Sequence, residues 1–166
     1  MKEKTSLCFI KKKVVNITTH DYANFAYDNC MALRSVGVDC YSYAIASHRF
    51  GYLSHSTIIG REEIAHVCSD ADIIQIFHSD IPCLNNVKGI DKKLIVYHTG
   101  SGYREKSTEL NNMFNPYVDI SFIALGELMG KGAKNEKFII GAIDTDSIIP
   151  EIAESHFLVF AHYPSN

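Results

Sequence analysis

Short, largely apolar runs recur along this chain and alternate with segments of helical periodicity. Residues 72–77, 93–97 and 119–124 are mostly aliphatic, β-branched or aromatic, and each run is too short for a typical helix. Runs that are apolar at consecutive positions indicate strands buried on both faces, as in a parallel sheet covered by helices. We therefore expect an α/β fold: an open, mostly parallel sheet with helices on both faces and right-handed crossovers.

The intervening segments fit this alternation. Apolar side chains at helical spacing predict a helix over residues 23–36, with Asp21 as its N-cap and Gly37 as its C-terminal cap. The other predicted elements are strands over residues 14–18, 38–44 and 138–142, helices near Arg61 and over residues 108–117, and a long polar loop over residues 47–60.

Size, charge and cysteines limit the classes of function. A chain of 166 residues fits one domain, and its net charge of -3 argues against a protein that binds nucleic acid through phosphates. The five cysteines are odd in number and lack metal-ligand spacing, which predicts no metal site and a reducing, cytoplasmic compartment. The lysines at 11–13 could touch an anionic membrane surface weakly, although a solvated lead-in to the first strand explains them as well.

The end of the chain carries an apolar strand pattern followed by a turn. Residues 157–161 are apolar and run into Pro164-Ser165-Asn166. We expect residues 1–155 to form one Rossmann-like domain and residues 156–166 to be the first strand of a missing C-terminal domain, packing poorly or exchanging with a neighbour. The alternative is an edge strand of the domain's own sheet.

Polar residues follow most of the predicted strands. Ligands bind an open parallel sheet at the carboxyl ends of its strands, so these loops are the candidate site. Asp21 and Asn24 also suit the start of a helix, where they would serve as caps, and residues 78–80 also suit a plain turn. The candidate substrate-binding residues are Asp21, Asn24, His78, Thr99, Gly100, Ser101, Arg104 and Asp144.

The segment over residues 98–104 is the richest of these loops. His98 leaves a buried strand, so we expect its imidazole at the carboxyl edge, facing a cleft. Gly100 and its neighbours allow close backbone approach, and Arg104 could clamp a carboxylate or phosphate. Ser101 lacks the surroundings of a nucleophile elbow, and the first loop has no glycine-rich phosphate cradle. The structural alternative for His98 is a core histidine bonded to a backbone carbonyl.

Several of these segments resemble motifs of one enzyme family. Residues 32–40 resemble "A-L-R-x-x-G-x-x-A", residues 71–78 resemble "D-I-I-H-x-H", and residues 96–104 resemble "H-x-H-G-S-x-x-R". Residues 161–166 are similar to the "H-A-P-S-N" that opens a second domain in some members. Together they resemble the N-terminal domain of a GT-B glycosyltransferase of the retaining type called family 4.

The resemblance implies an enzyme of two facing Rossmann-like domains that moves a hexose from a nucleotide-sugar to a hydroxyl acceptor. The donor would bind mainly to the missing domain, and this domain would contact a glycan or lipid-linked acceptor. His98 matches the family's histidine near the reacting sugar, so its replacement by Ala should lower turnover more than stability. No metal or cofactor is implied. The first loop departs from the pattern because many members carry a glycine pair there.

Two further expectations follow from the missing domain. This chain alone should be inactive, and its bare cleft face should favour self-association. The alternative function is a stand-alone α/β module that binds a ligand or a protein without catalysis. A small hydrolase using His98 is the third interpretation, and it lacks a convincing nucleophile.

Overall fold

The computed structural model describes residues 12–48 and 50–142. The expected terminal strand over residues 156–166 and the site residue Asp144 lie outside this part of the chain. Strands are β1 Lys13–Thr18, β2 Asp39–Ala44, β3 Thr57–Ile58, β4 Ile73–Ile76, β5 Lys93–His98, β6 Ile120–Ile123 and β7 Lys137–Phe138. Helices are α1 Phe25–Ser35, α2 Ile64–Ser69, α3 Ile81–Val87 and α4 Gly100–Phe114, with 3₁₀ turns at Tyr22–Asn24, Arg61–Glu63 and Gly126–Leu128.

All seven strands form one parallel sheet in the order β3-β2-β1-β4-β5-β6-β7. The chain first adds strands outward from β1 in one direction, then returns to place β4 on the other side of β1. This is the strand order of an open, doubly wound α/β sheet, so the predicted Rossmann-like fold is confirmed.

Helices cover both faces of the sheet, and the side chains of the strands alternate between them. Val15 and Ile17 point into the large core with α2, α3 and α4, whereas Val14 packs with Cys30 of α1 on the opposite face. A second small cluster on the α1 face joins Ala26, Phe77 and Tyr97. The strands are therefore buried from two sides, which explains why their sequences are apolar at consecutive positions.

Four elements differ from the sequence prediction. The turn expected at residues 78–80 leads directly into α3, because Asp80 caps that helix by accepting from the Cys83 amide at 3.0 Å, with Pro82 in the first turn. Two residues of the predicted polar loop form β3. The last described strand, β7, ends at Phe138 instead of continuing to residue 142.

Helix α4 also begins much earlier than predicted, at Gly100 instead of residue 108. The glycines at 100 and 102 have low helix propensity, which is why the sequence favoured a loop there. A non-helical residue, Lys106 with φ -123°, separates this first part from the long apolar-faced part that the periodicity detects. The expected glycine loop is thus the opening turn of a helix.

Candidate functional site

The site that the fold itself offers lies where strand order reverses, at the carboxyl ends of β1 and β4. The loops that leave these strands diverge to opposite faces of the sheet and open a crevice between them. The loop after β2 folds beside this crevice, since Ile45 and Ala46 donate amide hydrogen bonds to the carbonyls of Thr18 and Thr19. Three loops therefore meet at one point of the carboxyl edge.

These loops bring together five rings, which we call the ring cluster: His20, Tyr22, His48, Tyr52 and His78. Tyr22 lies edge-on to His48 at 4.6 Å between centroids and to His78 at 5.2 Å. His48 stacks on Tyr52 at 4.5 Å, and His20 lies 6.4 Å from His48. Tyr22 is 42% exposed, so it presents its ring to solvent at the crevice.

Unusual backbone conformations concentrate in the same loops. Four of the five described non-glycine residues with positive φ are Ala23 (55°), Asn24 (54°), His78 (60°) and Ser79 (54°). Such conformations cost free energy and persist where surrounding contacts hold them, which is typical of functional sites. Here they set the position of the His78 ring against Tyr22.

Two crossed hydrogen bonds connect the end of β4 to the end of β5. The His78 Nδ1 atom pairs with Thr99 Oγ1 at 2.8 Å, and Ser79 Oγ pairs with His98 Nδ1 at 2.8 Å. Burial lowers the pKa of both His78 and His98 to about 4. Both imidazoles are therefore neutral near pH 7 and can take part in hydrogen bonds without carrying charge.

The N-terminus of α1 is closed by the chain's own carboxylate. Asp21 is 1% exposed and accepts from the amides of Ala26 at 2.8 Å and Tyr27 at 3.0 Å, and from Ser56 Oγ at 2.6 Å. In dinucleotide-binding sheets the helix N-terminus after the first strand binds a pyrophosphate. Asp21 thus has the capping contacts that the sequence left open for it, and its carboxylate occupies the position that an anion would take.

Asn24, another predicted binding residue, holds the loop after β2 in place. Its Nδ2 donates to the Leu53 carbonyl at 3.2 Å, and its Oδ1 accepts from the His55 amide at 3.0 Å. The Tyr52 hydroxyl accepts from the Ala23 amide at 2.6 Å and donates to the backbone carbonyl at position 21 at 3.1 Å. Asn24 therefore shapes one wall of the crevice.

The predicted catalytic residue His98 ends β5 at the carboxyl edge, but its side chain does not face the crevice. It is fully buried, stacked on Tyr103 at 4.1 Å and edge-on to Phe114 at 5.7 Å. The expectation of an exposed imidazole is wrong because α4 starts at once after β5 and covers the strand end with two aromatic rings. The alternative of a core histidine agrees better with the structure, although His98 is hydrogen-bonded to the Ser79 hydroxyl and not to a backbone carbonyl.

The residues after His98 do not form the expected binding loop. Gly100 and Ser101 are exposed in the first turn of α4, and Thr99 is engaged by His78. The Arg104 guanidinium donates to Glu127 Oε1 at 2.7 Å in a half-exposed ion pair. The glycines therefore lie in the first turn of a helix, and the arginine is engaged in an ion pair at the helix surface.

The carboxylates of Asp21 and Asp80 lie near His78 at the crevice, and both accept hydrogen bonds from backbone amides. None of the ion pairs or cation–ring contacts formed between described residues involves Tyr22 or His78. In residues 12–48 and 50–142, no group of three or more His, Cys, Asp or Glu side chains is arranged to hold a metal ion. Over the same residues, no helix has the length and apolar content needed to cross a bilayer.

Sequence reasoning missed most of the ring cluster. It placed His20 and Tyr22 on the rim without selecting them, and it assigned His48 and Tyr52 to a polar loop. One signal was present: residues 48, 50 and 52 are His, Phe and Tyr, an aromatic density that a solvated loop does not require. Of these five rings, His78 alone was among the predicted site residues.

Comparison with known proteins gives little guidance. No protein-family model matches the chain, and no curated protein matches it. One similar solved structure is an engineered D-amino acid dehydrogenase bound to NADP+, with 9% sequence identity, a TM-score of 0.45 and 70% of this chain covered. This chain spans 37% of that protein's length. At this distance a shared fold implies no shared function.

Proposed function

We propose that this chain is the acceptor-side domain of a two-domain glycosyltransferase of the GT-B type. The ring cluster binds the acceptor, a glycan or the glycan part of a lipid-linked molecule. A nucleotide-sugar donor is held mainly by a second α/β domain, and a hexose passes to an acceptor hydroxyl with retention. The donor-side domain stabilises the leaving diphosphate, and this domain positions the acceptor.

The observation that carries the proposal is a crevice with rings and neutral imidazoles but with its anion site already filled. A sugar ring offers apolar C–H faces that pack on aromatic rings, and hydroxyls that pair with histidine nitrogens. Tyr22 supplies an exposed ring, and beside it lies the neutral imidazole of His78, whose Nε2 is buried and has no hydrogen-bond partner in the described part of the chain. A phosphate would find the N-terminus of α1 closed by Asp21.

The proposal changes the role of one residue that the resemblance selected. His98 supports the site from behind: it holds Ser79, and the adjacent His78 is the imidazole at the crevice. The proposed setting is cytoplasmic with, at most, weak contact to a membrane surface. Self-association of this chain through its cleft face is part of the same proposal.

Ligand-observed NMR on the purified chain tests acceptor binding directly. The probes are the methyl glycosides of glucose, galactose and mannose, with NADP+ and UDP-glucose as comparison ligands. We expect saturation transfer to at least one methyl glycoside and weaker transfer to both nucleotides. Strong binding of NADP+ with none of the glycosides would contradict the proposal.

A matched pair of variants locates the binding. Tyr22→Ala removes the exposed ring and should weaken glycoside binding about fivefold, since ring contacts of this kind contribute on the order of 1 kcal/mol. Tyr117→Ala is the control, because Tyr117 is 45% exposed but lies at the far end of α4. An equal loss of glycoside affinity in both variants would contradict binding at the ring cluster.

Turnover separates the enzyme from the stand-alone binding module. The coding sequence downstream of residue 166 should encode a second α/β domain, and the longer protein should transfer a hexose that this chain alone does not. Glycoside binding without any such domain would favour the binding module over the transferase.

A further inference from the structure

A pair of cysteines lies between α1 and β2, away from the ring cluster. Cys30 of α1 and Cys40 of β2 are 2% and 0% exposed and pack with Val14 in one small apolar cluster. The two side chains pack in the same cluster, and each thiol is the largest influence on the pKa of the other. Two reduced thiols in direct contact form an arrangement in which one sulfur can attack the other after oxidation.

The surroundings favour thiolate formation on Cys30 alone. The hydrogen bond from Cys40 lowers the pKa of Cys30, and the Arg34 guanidinium lowers it further against the effect of burial. The same hydrogen bond and burial raise the pKa of Cys40. Arg34 is fixed beside the pair because its Nε donates to the Cys40 carbonyl at 2.6 Å.

A small cavity gives a reagent access to Cys30. It has a volume of about 80 Å³ and is lined by Cys30, Arg34, Tyr41, Ser42 and His55, among others. This volume accommodates a molecule the size of hydrogen peroxide, since a water needs roughly 30 Å³. Cys30 is therefore buried from bulk solvent but borders an opening that a small oxidant can enter.

We propose that Cys30 and Cys40 form a reversible redox pair that closes to an intramolecular disulfide when the protein meets hydrogen peroxide. The Cys30 thiolate attacks one peroxide oxygen, so an S–O bond forms, the O–O bond breaks and the released hydroxide takes up a proton. The Cys40 thiol then loses its proton as its sulfur attacks Cys30, and the S–O bond breaks to release a second water. Two thiols are oxidised and one peroxide is reduced to two waters.

The disulfide would join the middle of α1 to β2 covalently. Because Asp21 and the strained residues of the crevice lead directly into this helix, oxidation would stabilise the helix that carries one wall of the site. A thiol reductant reverses the bond by thiol–disulfide exchange.

The test uses the purified full chain with Cys8→Ser, which removes the cysteine outside the described residues. After brief treatment with hydrogen peroxide, the intact mass should be lower by two hydrogens. After the remaining thiols are alkylated, peptide mapping should show a link between the peptides that contain Cys30 and Cys40. Cys68 and Cys83 are the internal control, because they are buried in the other core and burial raises the pKa of each. Both should stay reduced under peroxide, so that they are alkylated when the protein is unfolded.

Three variants sharpen the result. Cys40→Ser should convert the product from a disulfide to a sulfenic acid on Cys30, trapped by dimedone, and Arg34→Gln should slow disulfide formation several-fold. Cys68→Ser should leave it unchanged. A product that links Cys68 to Cys83 first, or wild-type chain that keeps all its thiols under peroxide that oxidises free cysteine, would overturn the proposal. The peptide map of the wild-type chain tests the Cys30–Cys40 disulfide even if a variant fails to fold.

Discussion

The two halves of the carboxyl edge use the same residue types for opposite purposes. At the ends of β1, β2 and β4, His78 and Tyr22 are held at a crevice by strained loops. At the end of β5, His98 is sealed under Tyr103 and Phe114, and the next residues begin a helix. A histidine at the end of a buried strand is thus a candidate for binding a ligand only where the chain that follows leaves the carboxyl edge of the sheet open.

The difference follows from the connection that each strand makes. Between β1 and β4 the chain departs to opposite faces, so no helix crosses the strand ends there. After β5 the helix starts without an intervening loop, and its first aromatic side chain folds back over the strand it has just left. Strand order therefore locates the crevice better than the richness of a loop in polar residues does.

The largest expected effect distinguishes the two histidines by stability. His98→Ala should lower the free energy of unfolding by about 3 kcal/mol, because it removes a fully buried ring that stacks on Tyr103 and leaves Ser79 without its partner. Chemical denaturation measures this loss. A folded His98→Ala protein with unchanged stability and lost glycoside binding would restore the catalytic role that the resemblance assigned.

The next expected effect is on the pH dependence of stability, to which a histidine in each half of the carboxyl edge contributes. The folded pKa values of His78 and His98 are about 4, below the ordinary value of 6.5, so the unfolded chain binds more protons between these values. Stability is therefore full above about pH 6.5 and falls as pH drops toward 4, by about 2 kcal/mol per histidine near pH 5.

Two single variants divide this pH dependence. His78→Gln and His98→Gln should each remove about half of the stability loss between roughly pH 7 and pH 5, measured by denaturation at each pH. The control is His66→Gln on the exposed side of α2, which should leave the slope unchanged. A slope that neither of the first two variants alters would mean that these imidazoles stay accessible to protons.

A smaller loss of stability is expected when the Asp21 carboxylate at the N-terminus of α1 is removed. Asp21→Ala should cost about 1–2 kcal/mol of stability through lost capping, whereas Asp70→Ala at an exposed position should cost little. The Asp21 variant should also gain weak binding of inorganic phosphate, visible as shifts of the Ala26 and Tyr27 amides. Phosphate binding to the unaltered chain at those amides would contradict the filled-site argument.

The smallest expected effect is that of Arg104→Ala. Its ion pair with Glu127 is exposed, so its loss should leave both the free energy of unfolding and glycoside binding nearly unchanged. Isothermal titration of the variant measures the second part. Weakened binding would return Arg104 to the acceptor contacts expected from the sequence.

The fold could be predicted from the sequence far better than the site. Apolar runs reveal strands such as β4 and β5 because burial on both faces constrains every residue of a strand. The helix start at Gly100 could not be predicted, since two glycines mask a segment that Tyr103 anchors through tertiary packing. The position of Tyr22 against His48 depends on loops that are distant in sequence, and no local pattern encodes that contact.

Backbone amide chemical-shift mapping with the methyl glycosides tests the central claim that the crevice at β1 and β4 is the binding site. The account predicts that a bound glycoside shifts the amides around Tyr22, His48 and Ser79 and leaves those of Ser101 and Arg104 in place. Shifts confined to the start of α4, with the ring cluster unaffected, would contradict it.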